Sequence, residues 1–146
     1  MVDVTVFYLE MLAPSDRFVL APRSELTVVH VQSPTVQHYR SLYNAVFTDP
    51  RNELHVLHVD GRSAGFAELD RRQPNEIELA QFGLIRELIG QGLGKWFLQW
   101  TIDKAWSYGP KRFWLHTCTL DHPNALPNYR KAGFVLYKQE AIRREL

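Results

Sequence analysis

The sequence predicts a single domain, residues 1–146, of the mixed α/β class, in which helices pack against one sheet. Segments rich in β-branched and aromatic residues alternate with amphipathic helical patterns. One helical pattern of about sixteen residues separates two strand-like segments, and a connection of that length makes a parallel pair of neighbouring strands. A chain of this size buries roughly 68–70% of its unfolded surface, which is enough for a core without disulfides.

The N-terminal third predicts two strands and a helix. Val4–Glu10 and the segment ELTVVHV are rich in β-branched and aromatic residues, so each is expected to form a strand. Ser33 as N-cap and Pro34 at the first helical position predict a helix that continues to about Phe47.

The middle of the chain predicts a hairpin, a strand and the long helix. The Asp60-Gly61 pair forms a tight turn between ELHVLHV and AGFAEL, and alternation in the first of these predicts a strand with one buried face. Glu76–Leu84 is expected to be a strand, and the apolar spacing from Leu93 predicts a helix that ends near Tyr108.

The C-terminal part predicts a strand, a short helix and a last strand. RFWLHTCTL has strand composition, DHPNALPNYRKAG is expected to contain a helix capped by Gly133, and FVLYKQEAI completes the sheet. The last strand is a candidate for pairing across a homodimer.

Composition excludes several classes of function. The net charge is +1 with no block of like charges, which argues against nucleic-acid binding. Cys118 is the single cysteine, as expected in a reducing compartment. No run of about 18 apolar residues and no basic leader is present, so we expect a cytoplasmic protein without membrane contact.

Three glycines at alternate positions, Gly90, Gly92 and Gly94, lie between the strand and the long helix. A P-loop is excluded because Ile89 stands where its first glycine belongs, and a dinucleotide fingerprint is excluded because Lys95 stands where its third glycine belongs. Two interpretations remain open at this point. The loop is either an anion site at a helix N-terminus or only a tight turn.

The segment IRELIGQGLG resembles the acyl-CoA-binding motif of the GNAT superfamily of N-acyltransferases, Gln/Arg-x-x-Gly-x-Gly/Ala. Gly92 and Gly94 take the two small positions. Ile89 departs from the first position, so one donor to the diphosphate is lost.

A second block, NALPNYRKAGF, is similar to a later GNAT motif, Ala-x-x-x-Tyr-x-x-x-Gly-Phe. Ala125, Tyr129, Gly133 and Phe134 are in register, whereas His122 replaces a frequent asparagine. The resemblance extends from about Leu54 to Leu136. The segments GFAELDRR and HTCTLDHPNALPNYRKAGF look like those of a bacterial subgroup of small GNAT proteins.

This resemblance implies a GNAT-like acyl-CoA N-acyltransferase fold, with a mostly antiparallel central sheet splayed at the acyl-CoA site. It implies transfer of acetyl from acetyl-CoA to a primary amine on a small molecule or peptide, by direct attack in a ternary complex without a metal. The family usually places two helices between its first two strands, but the stretch from Ser33 to Asn52 has room for one. A non-catalytic acyl-CoA sensor and a purely structural module are the alternatives.

The resemblance also implies roles for particular residues. Tyr129 would protonate the leaving thiolate, and Glu78 would accept the proton of the amine directly or through water. Glu68 is the rival base, and His116 or His122 could relay protons.

Predicted cofactor contacts follow the same resemblance. The pantetheine arm would lie along the strand end, and the diphosphate would lie at the glycine loop, with Arg130 and Lys131 near the 3′-phosphate. The cofactor-binding residues predicted in this way are Phe82, Gly83, Leu84, Gln91, Gly92, Leu93, Gly94, Lys95, His122 and Arg130.

Two other chemistries are weaker interpretations. Cys118 lies two residues from His116, on the same face of a strand, but cysteine is most often a buried core residue. A zinc site made of His55, His58, His116 and Cys118 is disfavoured because His55 and His58 face opposite sides of their strand.

Overall fold

The computed structural model describes residues 1–14, 19–31 and 49–145. Within these ranges the chain forms a mixed sheet and two α-helices, and the helix predicted from Ser33 to Phe47 lies outside them. A single 3₁₀ turn, Arg86–Leu88, precedes the first helix. The elements are β1 (Val2–Met11), β2 (Leu26–Val31), β3 (Asn52–Val59), β4 (Arg62–Asp70), β5 (Glu76–Leu84), α1 (Leu93–Ser107), β6 (Arg112–Cys118), α2 (Ala125–Lys131) and β7 (Val135–Arg144).

The described strands form one seven-stranded sheet in the order β2-β3-β4-β5-β6-β1-β7. Neighbours are antiparallel except β5 and β6, which run parallel and are joined by α1. The parallel pair expected across the long helix is therefore confirmed. The first strand of the chain lies between β6 and β7, far from the next strand in sequence.

The sheet opens between β5 and β6. These strands pair through three residue pairs, of which the last is Glu78 with Trp114. Beyond that point β5 follows β4 as far as Leu84, whereas β6 follows β1 as far as Cys118. The expected splay of the sheet is present, and it leaves edge groups of both strands facing a gap.

A β-bulge at Ala80 reorients the second half of β5. Leu69 of β4 pairs with Leu79, but the preceding residue of β4 pairs with Gln81, so Ala80 has no partner. Side-chain alternation slips by one residue there. Leu79 before the bulge and Phe82 after it both pack against the core beneath α1.

The core lies between the sheet and α1. Phe97 and Ile102 of α1 are fully buried against Leu69, Leu79 and Phe113 of the sheet. On β3 the expected alternation is wrong, because residues 52 to 57 are all buried. Leu57 joins the core under α1, while Leu54 and Val56 pack with Val31 on the other face. β3 is an interior strand covered on both sides.

Candidate active site

The glycine loop has two different kinds of glycine. Gly90 and Gly92 have φ of 93° and 76°, and nothing lies within 4 Å of where a Cβ atom would stand on either residue. Both are therefore required for left-handed backbone rather than for close packing. Gly94 differs, because a Cβ atom there would lie 3.3 Å from Cδ1 of Leu84, so this glycine lets α1 pack closely on β5.

The backbone amides of the loop have no acceptor within the part of the chain that the structure describes. Gly92 caps α1 without a side-chain hydrogen bond, and the first loop-to-helix bond runs from the amide of Trp96 to the carbonyl of Gly92 at 3.2 Å. The amides of residues 90 to 94 accordingly remain open. Open amides at a helix N-terminus, together with the helix dipole, form an anion site.

A cavity of about 490 Å³ lies beside this loop, between the end of β5, α1 and α2. Eight of the predicted site residues line it: Phe82, Gly83, Leu84, Gly92, Gly94, Lys95, His122 and Tyr129. Lys131, which the sequence placed near the 3′-phosphate, lines it as well. Residues that the sequence interpretation did not assign to the site also line it, and these include Ile89, Gly90, Gln99, Asn124 and Asn128. The structure thus brings residues of the two GNAT-like motifs together around one cavity.

Four predicted site residues do not line the cavity. Gln91 is exposed, and Leu93 is 2% exposed within the core, so Leu93 can offer a ligand only its backbone. Arg130 is exposed on α2, and its neighbour Lys131 lines the cavity instead. Glu78 lies on the other face of the sheet.

Tyr129 is held by aromatic contacts and by the end of α2. Its ring lies 6.4 Å from that of Phe82 and 6.1 Å from that of Phe134, centroid to centroid, and its carbonyl accepts a 3.1 Å bond from the amide of Phe134. Gly133, with φ of 112°, provides the reversal that this bond requires. The hydroxyl has no hydrogen-bond partner among the described residues. Burial, aided by the charge of Asp121, raises the pKa of Tyr129, so the phenol stays protonated.

The turn after β6 explains why that strand is shorter than predicted. Asp121 accepts bonds from the hydroxyl of Thr117 and from the amide of Cys118, the latter at 2.9 Å, and these bonds end the strand at Cys118. His122 follows, and its Nδ1 accepts a 3.1 Å bond from the amide of Asn124. The turn places the imidazole of His122 at the cavity wall, whereas Cys118 does not line it.

Glu78 stands where β5 and β6 separate, on the face of the sheet opposite α1. Alternation gives this orientation, because Ile77 and Leu79 face the core. Its Oε2 lies 3.8 Å from Nδ1 of His116. Burial, with the carboxylates of Asp70 and Glu68, raises the pKa of Glu78 to about 6. A carboxylate with this pKa can act as a base at neutral pH.

Glu68, the rival base, lies on the same face of β4. It is 6% exposed, and its Oε1 accepts a 3.1 Å bond from Nδ2 of Asn52. Burial raises the pKa of Glu68, and the charge of Asp70 adds to this effect. Glu68 is one strand further than Glu78 from the opening between β5 and β6.

The histidine group that could hold a metal differs from the one considered in the sequence. Within residues 1–14, 19–31 and 49–145, ligand atoms of His30, Glu53 and His55 lie within 4.8 Å of one another. The carboxylate of Glu53 already accepts bonds from His55, Tyr108 and Arg71 at 2.7 to 2.9 Å. Burial acts to raise the pKa of Glu53, but these donors outweigh it and lower the pKa to about 2. A guanidinium beside the carboxylate disfavours a cation, so the group is better explained as a buried hydrogen-bond network.

The described residues contain no helix both long and apolar enough to cross a membrane. No functionally curated protein sequence matches the chain significantly. The family model of the acetyltransferase (GNAT) family matches residues 20–134, which is most of the chain.

Solved structures of acetyltransferases share the fold at low sequence identity. A protein described as an acetyltransferase from the GNAT family of Novosphingobium aromaticivorans has a TM-score of 0.70 at 19% identity, covering 97% of this chain and 63% of that one. A GCN5-related N-acetyltransferase from Kribbella flavida has a TM-score of 0.69 at 18% identity, covering 94% and 56%.

An IAA acetyltransferase from Bacillus cereus has a TM-score of 0.62 at 19% identity, covering 77% of this chain and 79% of that one. The chain spans between half and two thirds of the length of the first two of these structures. These likenesses concern the fold, which is a mixed α/β sheet flanked by helices. On the family match, the chain belongs to the GNAT family of acetyltransferases.

Proposed function

We propose that the protein transfers an acetyl group from acetyl-CoA to a primary amine by direct attack in a ternary complex. The observation that supports this proposal is the joint presence, in one cavity, of open amides at the N-terminus of α1 and an unengaged phenol on α2. The open amides can donate hydrogen bonds to a diphosphate, and the phenol can donate a proton to a leaving thiolate. The gap between β5 and β6 would let the pantetheine arm extend from the amides of α1 to the phenol of Tyr129.

Acetyl-CoA would lie with its diphosphate against the amides of residues 90 to 94. These amides must supply the hydrogen bonds that the Gln or Arg of the motif would donate and that Ile89 cannot. Lys95 at the loop and Lys131 on α2 add positive charge at the cavity wall. Edge groups of β5 beyond Glu78, unpaired with β6, would receive the amide groups of the pantetheine arm. Proximity of the two substrates supplies much of the rate in such a mechanism.

The reaction needs a base and an acid. Glu78 accepts a proton from the ammonium form of the acceptor, the free amine nitrogen attacks the thioester carbonyl carbon, and the carbon–sulfur bond breaks. The hydroxyl of Tyr129 gives its proton to the departing sulfur, and the second proton that the nitrogen loses as the amide forms returns to the Tyr129 phenolate. The proton on Glu78 passes to water when the products leave. Glu78 and Tyr129 belong to opposite faces of the sheet, so they approach the gap between β5 and β6 from two sides.

The Tyr129→Phe variant tests this proposal. Free thiol released from acetyl-CoA is measured with a panel of primary amines. We expect the variant to lose kcat on the order of 10²-fold, because the proton donor is removed, with little change in KM for acetyl-CoA. Tyr137→Phe is the matched control, since Tyr137 is an exposed tyrosine of β7 and should retain wild-type turnover.

Three results are distinguishable. Equal kcat in wild type and Tyr129→Phe would contradict the role of the phenol. Tight binding of CoA with no amine-dependent thiol release would favour an acyl-CoA sensor, the alternative that the departure at Ile89 motivates. No rise in melting temperature with acetyl-CoA at high concentration would contradict both.

A further inference from the structure

Three carboxylates form a cluster on the face of the sheet opposite α1. Glu68 and Asp70 lie on β4, and Glu78 lies directly across from Asp70 on β5. All three face away from α1, because their neighbours Leu69 and Leu79 pack in the core beneath that helix. We call this cluster the acidic face.

The acidic face has fewer cations than carboxylates. Arg72 pairs with Asp70 through two bonds of 2.7 and 2.9 Å. Neither Glu68 nor Glu78 has an arginine or lysine within ion-pair distance in the described ranges. Since Glu68 is 6% exposed, part of this excess negative charge is shielded from water.

A buried amide beside the cluster also lacks a partner. Asn52 is 5% exposed and lies across from Asp70 in the β3–β4 pair. Its Nδ2 donates to Glu68, but its Oδ1 has no hydrogen-bond donor within residues 1–14, 19–31 and 49–145. A buried acceptor without a donor costs free energy, so a donor from outside the protein, in a bound molecule or a water, would stabilise it.

We infer that the acidic face is the acceptor subsite, and that it selects amines carrying a second cationic nitrogen. This inference rests on the proposed acetyl transfer. The reacting nitrogen lies at Glu78, beside the gap between β5 and β6. The second ammonium group donates to Glu68 and to Oδ1 of Asn52. Neighbouring strands are about 5 Å apart and two residues span about 7 Å, so the ends of a short diamine can reach both carboxylates.

The physical reason for the selection is that a second ammonium group supplies a positive charge and a hydrogen-bond donor to the acidic face. It compensates the buried charge of Glu68 and gives the orphaned Oδ1 of Asn52 a donor. A monoamine of the same length leaves both groups as they are. Hydrogen bonds to charged groups of this kind change binding by about tenfold or more.

The test compares putrescine with butylamine, which has the same carbon chain and one amine fewer. With wild type and acetyl-CoA, we expect kcat/KM for putrescine to exceed that for butylamine by about tenfold at low salt. Glu68→Gln keeps an acceptor for Asn52 but removes the charge, so this advantage should fall to near one. The matched control is Glu25→Gln, because Glu25 pairs with Arg23 away from the acidic face and should leave the ratio unchanged.

A second measurement needs no variant. Raising the ionic strength from low salt should shrink the advantage of putrescine in wild type, because salt screens the attraction that draws a dication toward the partly exposed carboxylates of Asp70 and Glu78. An advantage that is independent of salt, or a ratio that is unchanged in Glu68→Gln, would overturn the inference.

Failure of the inference and failure of the proposed function look different. If both amines are acetylated equally well, acetyl transfer stands and the selection of diamines is wrong. If no amine is acetylated, the melting temperature of the CoA-loaded protein with putrescine decides. A rise that Glu68→Gln abolishes supports the acidic face as a cation site, and no rise overturns it.

Discussion

Burial acts on Tyr129 and Glu78 in the same direction but with different consequences. In both, removal from water disfavours the charged form and raises the pKa. For the phenol this means that a proton remains available to a departing sulfur. For the carboxylate it brings the pKa from the model-compound value of 4.5 to about 6, where the group is a stronger base and still mostly ionised at pH 7.

The pH dependence of acetyl transfer should therefore report Glu78. A base must be deprotonated to act, so we expect kcat/KM to rise with pH through about 6 and to level off above it. Asp70 and Glu68 raise this pKa and Arg72 lowers it, so Asp70→Asn should shift the midpoint downward. The measurement is initial-rate thiol release between pH 5 and 8, a range chosen to span that midpoint.

The Glu78→Gln variant tests whether Glu78, rather than another group, causes the rise of kcat/KM with pH. The variant should lose the rise near pH 6 along with most of its activity. If the rise persists, the titrating group is another one, and His116, 3.8 Å from Glu78, is then the group to substitute.

Local spacing in the sequence placed several of the predicted site residues beside one another in the structure. Gly92, Gly94 and Tyr129 all line the cavity, because fixed offsets in a turn and a helix place them there. Lys131 lines the cavity and Arg130 does not. Which of these two neighbours faces the cavity depends on the rotation of a seven-residue helix about its axis, and the sequence alone does not fix that rotation. The sequence also did not predict the burial of Glu68, because the alternating pattern Phe-Ala-Glu-Leu-Asp is typical of a strand with one face in solvent.

At the level of elements, the close contact between β4 and β5 holds one wall of the cavity. Gly65 lies across from Leu84, and a Cβ atom on Gly65 would stand 2.5 Å from the carbonyl oxygen of Gly83. The glycine that permits close approach within the sheet is thus Gly65. A Cβ atom on Gly83, which the sequence predicts as a cofactor-binding residue, would stand at an ordinary 3.5 Å from ring atoms of Phe66.

These two glycines give a matched pair of substitutions. Gly65→Ala should destabilise the protein by about 1–3 kcal/mol, because the clash is with backbone and the strands must separate. Gly83→Ala should change stability little, since its new methyl group makes an ordinary contact. Urea unfolding of both variants measures the difference. Equal stabilities would show that β4 and β5 shift without cost.

Elements with a local signal were predicted more accurately than those defined by their neighbours. α1 was expected from Leu93 to about Tyr108 and runs from Leu93 to Ser107, because one apolar stripe and a following Gly-Pro define it. β3 was expected to have one buried face and has two. Whether a strand is interior depends on what covers its second face, and no local pattern contains that information.

For the whole molecule, the position of β1 is the feature that sequence reasoning could not reach. Strand composition identified the segment, but its partners β6 and β7 are more than a hundred residues away in the chain. Pairings of this kind require closing a long loop before their contacts form, and a high share of them slows folding. Among the described strands β7 pairs with β1 alone, so the C-terminal edge of the sheet depends on the first strand.

This dependence predicts that β6, β1 and β7 lose protection together when β1 is weakened. Leu9 is fully buried and pairs with Leu115 of β6 and Leu136 of β7, so Leu9→Ala should cost about 2–5 kcal/mol. Amide hydrogen exchange should then accelerate in β7 as much as in β6, because β7 has no second neighbour in the described sheet. Glu10→Gln is the neighbouring control, since a partly exposed ion pair with Arg112 is worth less than about 1 kcal/mol. If β7 keeps its protection while β6 loses it, something other than β1 holds the last strand in place.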